Sequence, residues 1–323
     1  MQTIGLFKEE ARVALTPSGV SSLIKKGYKV LAHHKVGIHA FFEEADYEEA
    51  GAMMQSSDKH IIEESDILFR VQPFTHKQIS SLRKDQIIIG FLNPFDEKIQ
   101  HAYHKYCPQA YSFEKTPRIS RFQSMDALSS QANIAGYQAI LEGARLLKRV
   151  FPMMTTSAGS IYPVRVMVVG MGVLGLQAIA TAKRLGAVVY GYDIRPETKE
   201  QVESLGGIFI DHKKTYHEQL KTMDLVITAA QILSKKAPIL IGEDEFSLIK
   251  KGSVIIDTAI QMGGNCIYSK IDEEIIRDGI TIHAPASLPS MLARDASHLI
   301  SQNFCHFIQF LEKNDLDLQQ CIV

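Results

Sequence analysis

Short apolar runs alternate with amphipathic stretches along most of the chain, and this alternation predicts an architecture. The runs at Thr3 to Phe7, Lys29 to Ala32, Ile67 to Val71, Ile87 to Phe91 and Ala110 to Phe113 have the length and branching of buried strands. Pro17 to Lys26 is one of the helical stretches between them. Thr16 offers it a side-chain cap, Pro17 takes the first turn where no N–H is needed, and Gly27 stops it. A second series of strands lies near Val166, Val188, Ile208, Leu225, Val254 and Ile280. Parallel strands need long crossovers, so strand and helix in alternation predict parallel sheets with helices on both faces.

Two longer periodic stretches read as joints. In the helix from about Asp126 to Arg149, Ala132, Ala135, Gly136 and Ala139 leave room for another backbone to approach. From Leu292 to Leu311 an apolar stripe includes Leu292, Leu299, Phe304 and Phe307, and is expected to pack on the first domain or the hinge. The polar tail after Lys313 is expected to fray. The predicted fold class is therefore α/β: two doubly wound parallel-sheet domains joined by long helices, with a cleft between them. Residues 1–125, completed by a C-terminal helix over 290–323, are expected to form one domain, and residues 126–289 the other.

Charge and composition narrow the function. With 35 Lys and Arg against 36 Asp and Glu, the chain has no excess positive charge to attract nucleic acid or an anionic membrane. The four cysteines, Cys107, Cys266, Cys305 and Cys321, share no metal-ligand spacing and read as free thiols of a reducing compartment. The first residues carry charges where a secretion signal needs an apolar core, and no apolar run is long enough to span a bilayer. These features predict a cytoplasmic protein without a metal site and without direct membrane insertion.

The most informative stretch is VRVMVVGMGVLGLQAIATAKRLGAVVYGYDIRP, Val164 to Pro196. A β-branched strand leads into Gly170, Gly172 and Gly175, an amphipathic helix follows, and a second strand ends at Asp193. In this Rossmann-like arrangement the first glycine permits the turn, the second admits a pyrophosphate against the backbone, and the third lets helix and strand pack closely. The helix start then presents N–H groups to the anion. Asp193 stands where an acid binds the adenosine ribose hydroxyls, which favours NAD over NADP because a carboxylate repels a 2′-phosphate. Arg195 blunts that preference.

A second unusual stretch is PRISRFQSMDALSSQANIAGYQA, Pro117 to Ala139, where Arg118, Arg121, Gln123, Ser124, Asp126 and Ser129 crowd a domain boundary. Ser124 or Asp126 can cap the following helix. Asp126 and Ser129 share a helix face, and Arg118 is far enough upstream to fold back onto Asp126. Gln123 has the donor and acceptor that suit a carboxamide. Between this helix and the glycine motif, Phe151 to Pro163 reads as a hairpin whose methionines need cover, either from a subunit contact or from its own domain.

These motifs, with RVALTP at Arg12 to Pro17, FLNPF at Phe91 to Phe95, KKAPILI at Lys235 to Ile241 and GSVIIDTAIQMGGNC at Gly252 to Cys266, carry a resemblance over nearly the whole chain. The sequence resembles the NAD(H)-binding domain of proton-translocating NAD(P) transhydrogenase alpha subunits, in the alanine dehydrogenase/pyridine nucleotide transhydrogenase family. The resemblance implies that Arg118, Gln123, Asp126 and Ser129 orient the nicotinamide of NADH for hydride transfer to NADP⁺ on a separate domain. It also implies that Gly170, Met171, Gly172, Val173, Gly175, Asp193, Ile194 and Arg195 hold the adenosine and pyrophosphate, with Ala230 and Gln231 near the nicotinamide half. Implied partners are NADP-binding and membrane-spanning subunits and a second copy of the chain, which would make the protein peripheral to the inner membrane.

Departures define the alternatives. The lysine, histidine and aspartate that alanine dehydrogenases use are matched by Gln72, Asn93 and Gln261, which removes the proton-transfer groups of amino-acid oxidation, although Arg12 matches a carboxylate-gripping arginine. The long nucleotide-closing loop of transhydrogenases is shortened to Asp211 to Met223, leaving Tyr216 without an assigned role, and Met291 replaces an expected arginine. These changes keep open a non-catalytic NAD-binding or sensing module.

Overall fold

Every apolar run of the first series becomes a strand of one parallel sheet in the computed structural model, which describes residues 2–107, 109–211, 213–231, 235–313 and 316–323. The strands are β1 (Thr3–Leu6), β2 (Lys29–His33), β3 (Met53–Gln55), β4 (Ile67–Arg70), β5 (Ile87–Gly90) and β6 (Gln109–Ser112), in the order β3-β2-β1-β4-β5-β6. All neighbours are parallel. Helices α1 (Pro17–Lys25), α2 (Glu44–Glu49), α3 (Asp58–Glu64), α4 (His76–Ile79) and α5 (Glu97–Tyr106) supply most of the crossovers. Thr16 caps α1, Pro17 sits in its first turn, and Gly27 follows with φ +94°.

The chain divides into two compact units. One comprises Met1–Gln131 with Ser290–Val323, the other Ala132–Pro289, and the boundary falls within α6 (Ala127–Leu147). In the first unit the last helix, α11 (Ala293–Glu312), buries Ala296, Ile300, Phe304, Phe307 and Ile308. Phe304 stacks on Phe69 at 4.5 Å and meets the edge of Phe113 at 4.9 Å. Leu299, expected on the buried stripe, is exposed. Ser301 Oγ would stand 2.1 Å from a Cβ on Gly19, so α1 and α11 approach as closely as a glycine permits.

The described residues of the tail, 316–323, do not fray. Residues Leu316–Cys321 form a 3₁₀ turn, Leu318, Cys321 and Val323 are buried, and Val323 N donates to Ala110 O at 2.9 Å. Its spaced apolar residues close the β6 side of the core, which outweighs the polar composition around them.

The second unit contains an exposed hairpin, β7 (Met154–Thr156) and β8 (Gly159–Ile161), and a larger sheet. The sheet strands are β9 (Arg165–Val169), β10 (Val188–Tyr192), β11 (Ile208–Ile210), β12 (Leu225–Thr228), β13 (Val254–Asp257), β14 (Glu274–Arg277) and β15 (Ile280–His283). Their order is β11-β10-β9-β12-β13-β15-β14, parallel except for the β14–β15 edge. Helices α7 (Val173–Arg184), α8 (Lys199–Ser204), α9 (Lys213–Leu220) and α10 (Glu243–Leu248) complete it. Gly136 of α6 would place a Cβ 2.3 Å from Leu174 O, so the small-residue face of α6 lies against the backbone of α7. No described helix is long and apolar enough to cross a membrane.

Candidate nucleotide site

β9 is buried along all but its first residue, so its backbone is rigid where it reaches Gly170. Gly170 has φ +103°, and a Cβ there would stand 2.8 Å from the Ala229–Ala230 peptide. A Cβ on Gly175 would be 1.9 Å from Gly170 O. Gly172 differs, with nothing within 4 Å of its missing side chain. It is also the N-cap of α7 and offers no side-chain acceptor to the first-turn N–H groups. Two glycines are thus required by protein packing, and the third opens onto space beside uncapped helical N–H groups. A pyrophosphate fits there on steric and electrostatic grounds.

Asp193, at the end of β10, accepts from Met171 N at 2.7 Å and from Arg195 N at 2.9 Å. Arg195 also grips both carboxylate oxygens, with Nε at 3.0 Å and Nη2 at 2.9 Å. Burial raises the carboxyl pKa, but the bonds from Arg195 and Met171 outweigh it and the net shift is downward. The acid therefore stays ionised and tied to the glycine turn, while Arg195 and Ile194 remain exposed beside it. Val173 is also exposed, at the start of α7. Beyond β12, Gln231 is exposed and its Nε2 donates to Thr258 O at 2.9 Å.

The polar stretch of the first unit is anchored by its apolar members. Ser120–Met125 is a 3₁₀ segment that buries Phe122 and Met125 and leaves Arg118, Gln123 and Ser124 exposed around it. Asp126, not Ser124, caps α6, accepting from Ser129 N at 2.9 Å and from Ser129 Oγ at 2.6 Å. The expected Arg118–Asp126 pair is not found among the described residues; Arg118 is exposed, and Asp126 is bound by Ser129. Asn303 holds the segment from α11, donating to Ser124 O at 2.9 Å and accepting from Ser130 Oγ at 2.8 Å. Neither Asn303 nor its reach is visible in the sequence, since its partners lie far along the chain.

Arg12 donates to Gln131 Oε1 at 2.9 Å and fixes the first turns of α6. Burial pulls its pKa down to about 10, against the opposing field of Glu9. Glu9 is buried, accepts from Val71 N at 2.8 Å and Gln72 N at 3.2 Å, and burial pushes its carboxyl up to about 7. Gln72 and Asn93 thus lie beside acids that bind their main-chain N–H groups: Glu9 for Gln72, and Glu114, at 3.2 Å, for Asn93. Gln261 Nε2 donates to Ala286 O at 3.3 Å. No side chain of these three can move a proton at neutral pH.

Tyr216 belongs to a core. It is buried and stacks on Tyr192 at 4.7 Å, and next to it His217 bonds Glu245 at 3.1 Å. All four thiols are free and buried, and burial raises their pKa, so none is poised as a nucleophile. A cavity of about 640 Å³ in the first unit opens beside Thr16, Ser18, Phe42, Arg294 and His298. It mixes acids, bases and hydroxyls in an open depression whose lining includes none of the predicted site residues, so volume alone does not mark the site.

Comparison with known proteins agrees with this geometry. The alanine dehydrogenase/PNT C-terminal domain model matches residues 139–322, and the corresponding N-terminal domain model matches residues 6–135. An NAD(P) transhydrogenase subunit alpha protein of Rickettsia prowazekii is 38% identical over 94% of this chain and 87% of that protein. Its namesake from Rhodospirillum rubrum is 39% identical over 93% of this chain and 86% of that protein. The crystal structure of transhydrogenase from Sinorhizobium meliloti superposes with a TM-score of 0.92 at 33% identity, covering 99% of this chain and 96% of that one. With both of its halves matched and two relatives similar over nearly its whole length, the chain belongs to the alanine dehydrogenase/PNT family.

Proposed function

We propose that this chain is the NAD(H)-binding subunit of a nicotinamide nucleotide transhydrogenase. The observation that carries the reading is the glycine turn: Gly170 and Gly175 are packed to the limit while Gly172 faces open space at the uncapped start of α7. Gly170, Met171, Gly172, Val173 and Gly175 hold the pyrophosphate, and Asp193, Ile194 and Arg195 hold the adenosine. Ala230 and Gln231 meet the nicotinamide half. Bound NADH supplies the hydride, which passes to NADP⁺ on a separate NADP-binding partner. Arg118 and Gln123 engage the ring, and the Asp126–Ser129 pair steadies the segment that carries them. The protein binds, orients and excludes water; no residue has to shuttle a proton.

The remaining elements of the reading follow from this assignment. Proton translocation requires partner subunits that span the inner membrane, with this chain on the cytoplasmic side. A homodimer is proposed through the β7–β8 hairpin, whose Met153, Met154, Ile161 and Tyr162 are exposed on a two-stranded element too small to be stable without cover. An alanine dehydrogenase activity is disfavoured by Gln72, Asn93 and Gln261. A non-catalytic NAD-sensing module is the second reading, favoured by the short segment before β12 and the buried Tyr216.

The test mixes the purified chain with a separately prepared NADP-binding domain and follows hydride exchange between NADH and an NADP⁺ analogue. Exchange is expected. In Gln123→Ala it should fall by roughly 10²-fold while NADH affinity is nearly unchanged, the signature of lost orientation. NADH binding without any exchange would favour the sensing module.

A further inference from the structure

Asn265 is fully buried, and its amide uses both donors and its acceptor on the backbone of Ala230 and Pro238. Nδ2 donates to Ala230 O at 2.9 Å and Pro238 O at 2.7 Å, and Oδ1 accepts from Ala230 N at 3.2 Å. Its carbonyl accepts from Leu240 N at 2.8 Å and Ile241 N at 3.0 Å. One residue therefore ties Ala230, just beyond β12, to Pro238, Leu240 and Ile241. Its base is rigid as well: Asn265 N donates to Asp257 Oδ2 at 2.8 Å, and the fully buried Asp257 also binds Cys266 N, Ala259 N and Ser269 Oγ.

Ala230 adjoins the glycine turn, because the Ala229–Ala230 peptide is 2.8 Å from where a Cβ of Gly170 would stand. In a doubly wound sheet a dinucleotide lies across the point where strand order reverses, here between β9 and β12. Its adenosine falls toward the acid that ends β10, and its other half toward the residues beyond β12. Ala230 and Gln231 are on that second side.

We propose that Asn265 is a positioning residue: it fixes Ala230 and Gln231 for the nicotinamide half of the bound dinucleotide and leaves the adenosine half independent. This rests on the assignment of NAD(H) binding to the second unit. A residue that only stabilised the fold would affect both halves alike, so the two roles separate in a ligand comparison.

Wild-type chain, Asn265→Asp and Asn265→Ser are titrated with NADH and with ADP-ribose, which lacks the nicotinamide. The aspartate keeps shape and acceptor but turns an oxygen toward Ala230 O and Pro238 O. The serine is small and neutral, and serves where the aspartate fails to fold. The expected result is a loss of NADH affinity of about tenfold or more, with ADP-ribose affinity within about twofold of wild type. Equal losses for both ligands, unchanged NADH affinity, or failure of both variants to fold would overturn the proposal. Wild-type chain that binds neither ligand would overturn the functional assignment, and the proposal with it.

Discussion

The parallel sheets of the two units share one strand order, since β3-β2-β1-β4-β5-β6 repeats as β11-β10-β9-β12-β13-β15, yet they treat the switch point in opposite ways. In the first unit Glu9, just beyond β1, reaches across to bind Val71 N and Gln72 N beyond β4. An internal carboxylate stands there where an external anion would sit. In the second unit the turn beyond β9 is made of glycines, and the Ala230 N–H beyond β12 is satisfied from another side by Asn265. That leaves the mouth of the turn to a ligand. Topology supplies a crevice in both units, but the residues of the first turn decide whether it is filled from within.

The sharpest way to break this comparison is Gly175→Ala. Its Cβ would stand 1.9 Å from Gly170 O, so the turn must shift. NADH affinity is expected to fall by more than about a hundredfold in a calorimetric titration, with a loss of roughly 3 kcal/mol in unfolding free energy.

Glu9→Gln is the reciprocal change. An amide facing two N–H donors should cost about 1–3 kcal/mol in denaturant unfolding and leave NADH affinity unchanged. The effect depends on pH with a defined sign. Because burial raises the Glu9 carboxyl from 4.5 to about 7, the native state binds the extra proton between those values. Glu9's contribution is full below 4.5 and declines as pH rises through about 7. Melting curves of wild type and variant should therefore converge over that window.

Asp193→Asn sharpens the comparison at the adenosine end. It removes the charge paired with Arg195 and, in the proposed site, offered to the ribose, so NADH affinity should fall by about tenfold, and the NADPH to NADH affinity ratio should rise because Arg195 is released. The smallest effect is expected from Arg12→Lys, which gives up one directed bond to Gln131. About 1 kcal/mol of stability should be lost, with NADH binding intact.

Legibility in the sequence follows how local each cause is. The buried strands announce themselves because each β-branched run carries its own signal, and the α1 cap and stop are contained in Thr16, Pro17 and Gly27. β3 carries almost no such signal, being a three-residue edge strand rich in methionine. β14 carries a better one, since Asp278 and Gly279, with φ 50° and 80°, form an Asp-Gly hairpin turn between β14 and β15. The glycine turn is readable for the same local reason, and so is a cap for α6, although the sequence leaves it between Ser124 and Asp126. The Arg118–Asp126 pair rests on spacing alone, and spacing does not fix where the Arg118 side chain points. Glu9, Asn303 and Asn265 are not readable as functional supports, because their partners lie tens to more than a hundred residues away. No local pattern specifies such bonds.

The most direct measurement is the stoichiometry of NADH binding to the whole chain by calorimetry, in wild type and in Gly175→Ala. One site per chain, abolished by the substitution, is the predicted result. Two equivalent sites, or one that survives the alanine, would contradict the claim that the glycine turn alone makes the second unit the dinucleotide site.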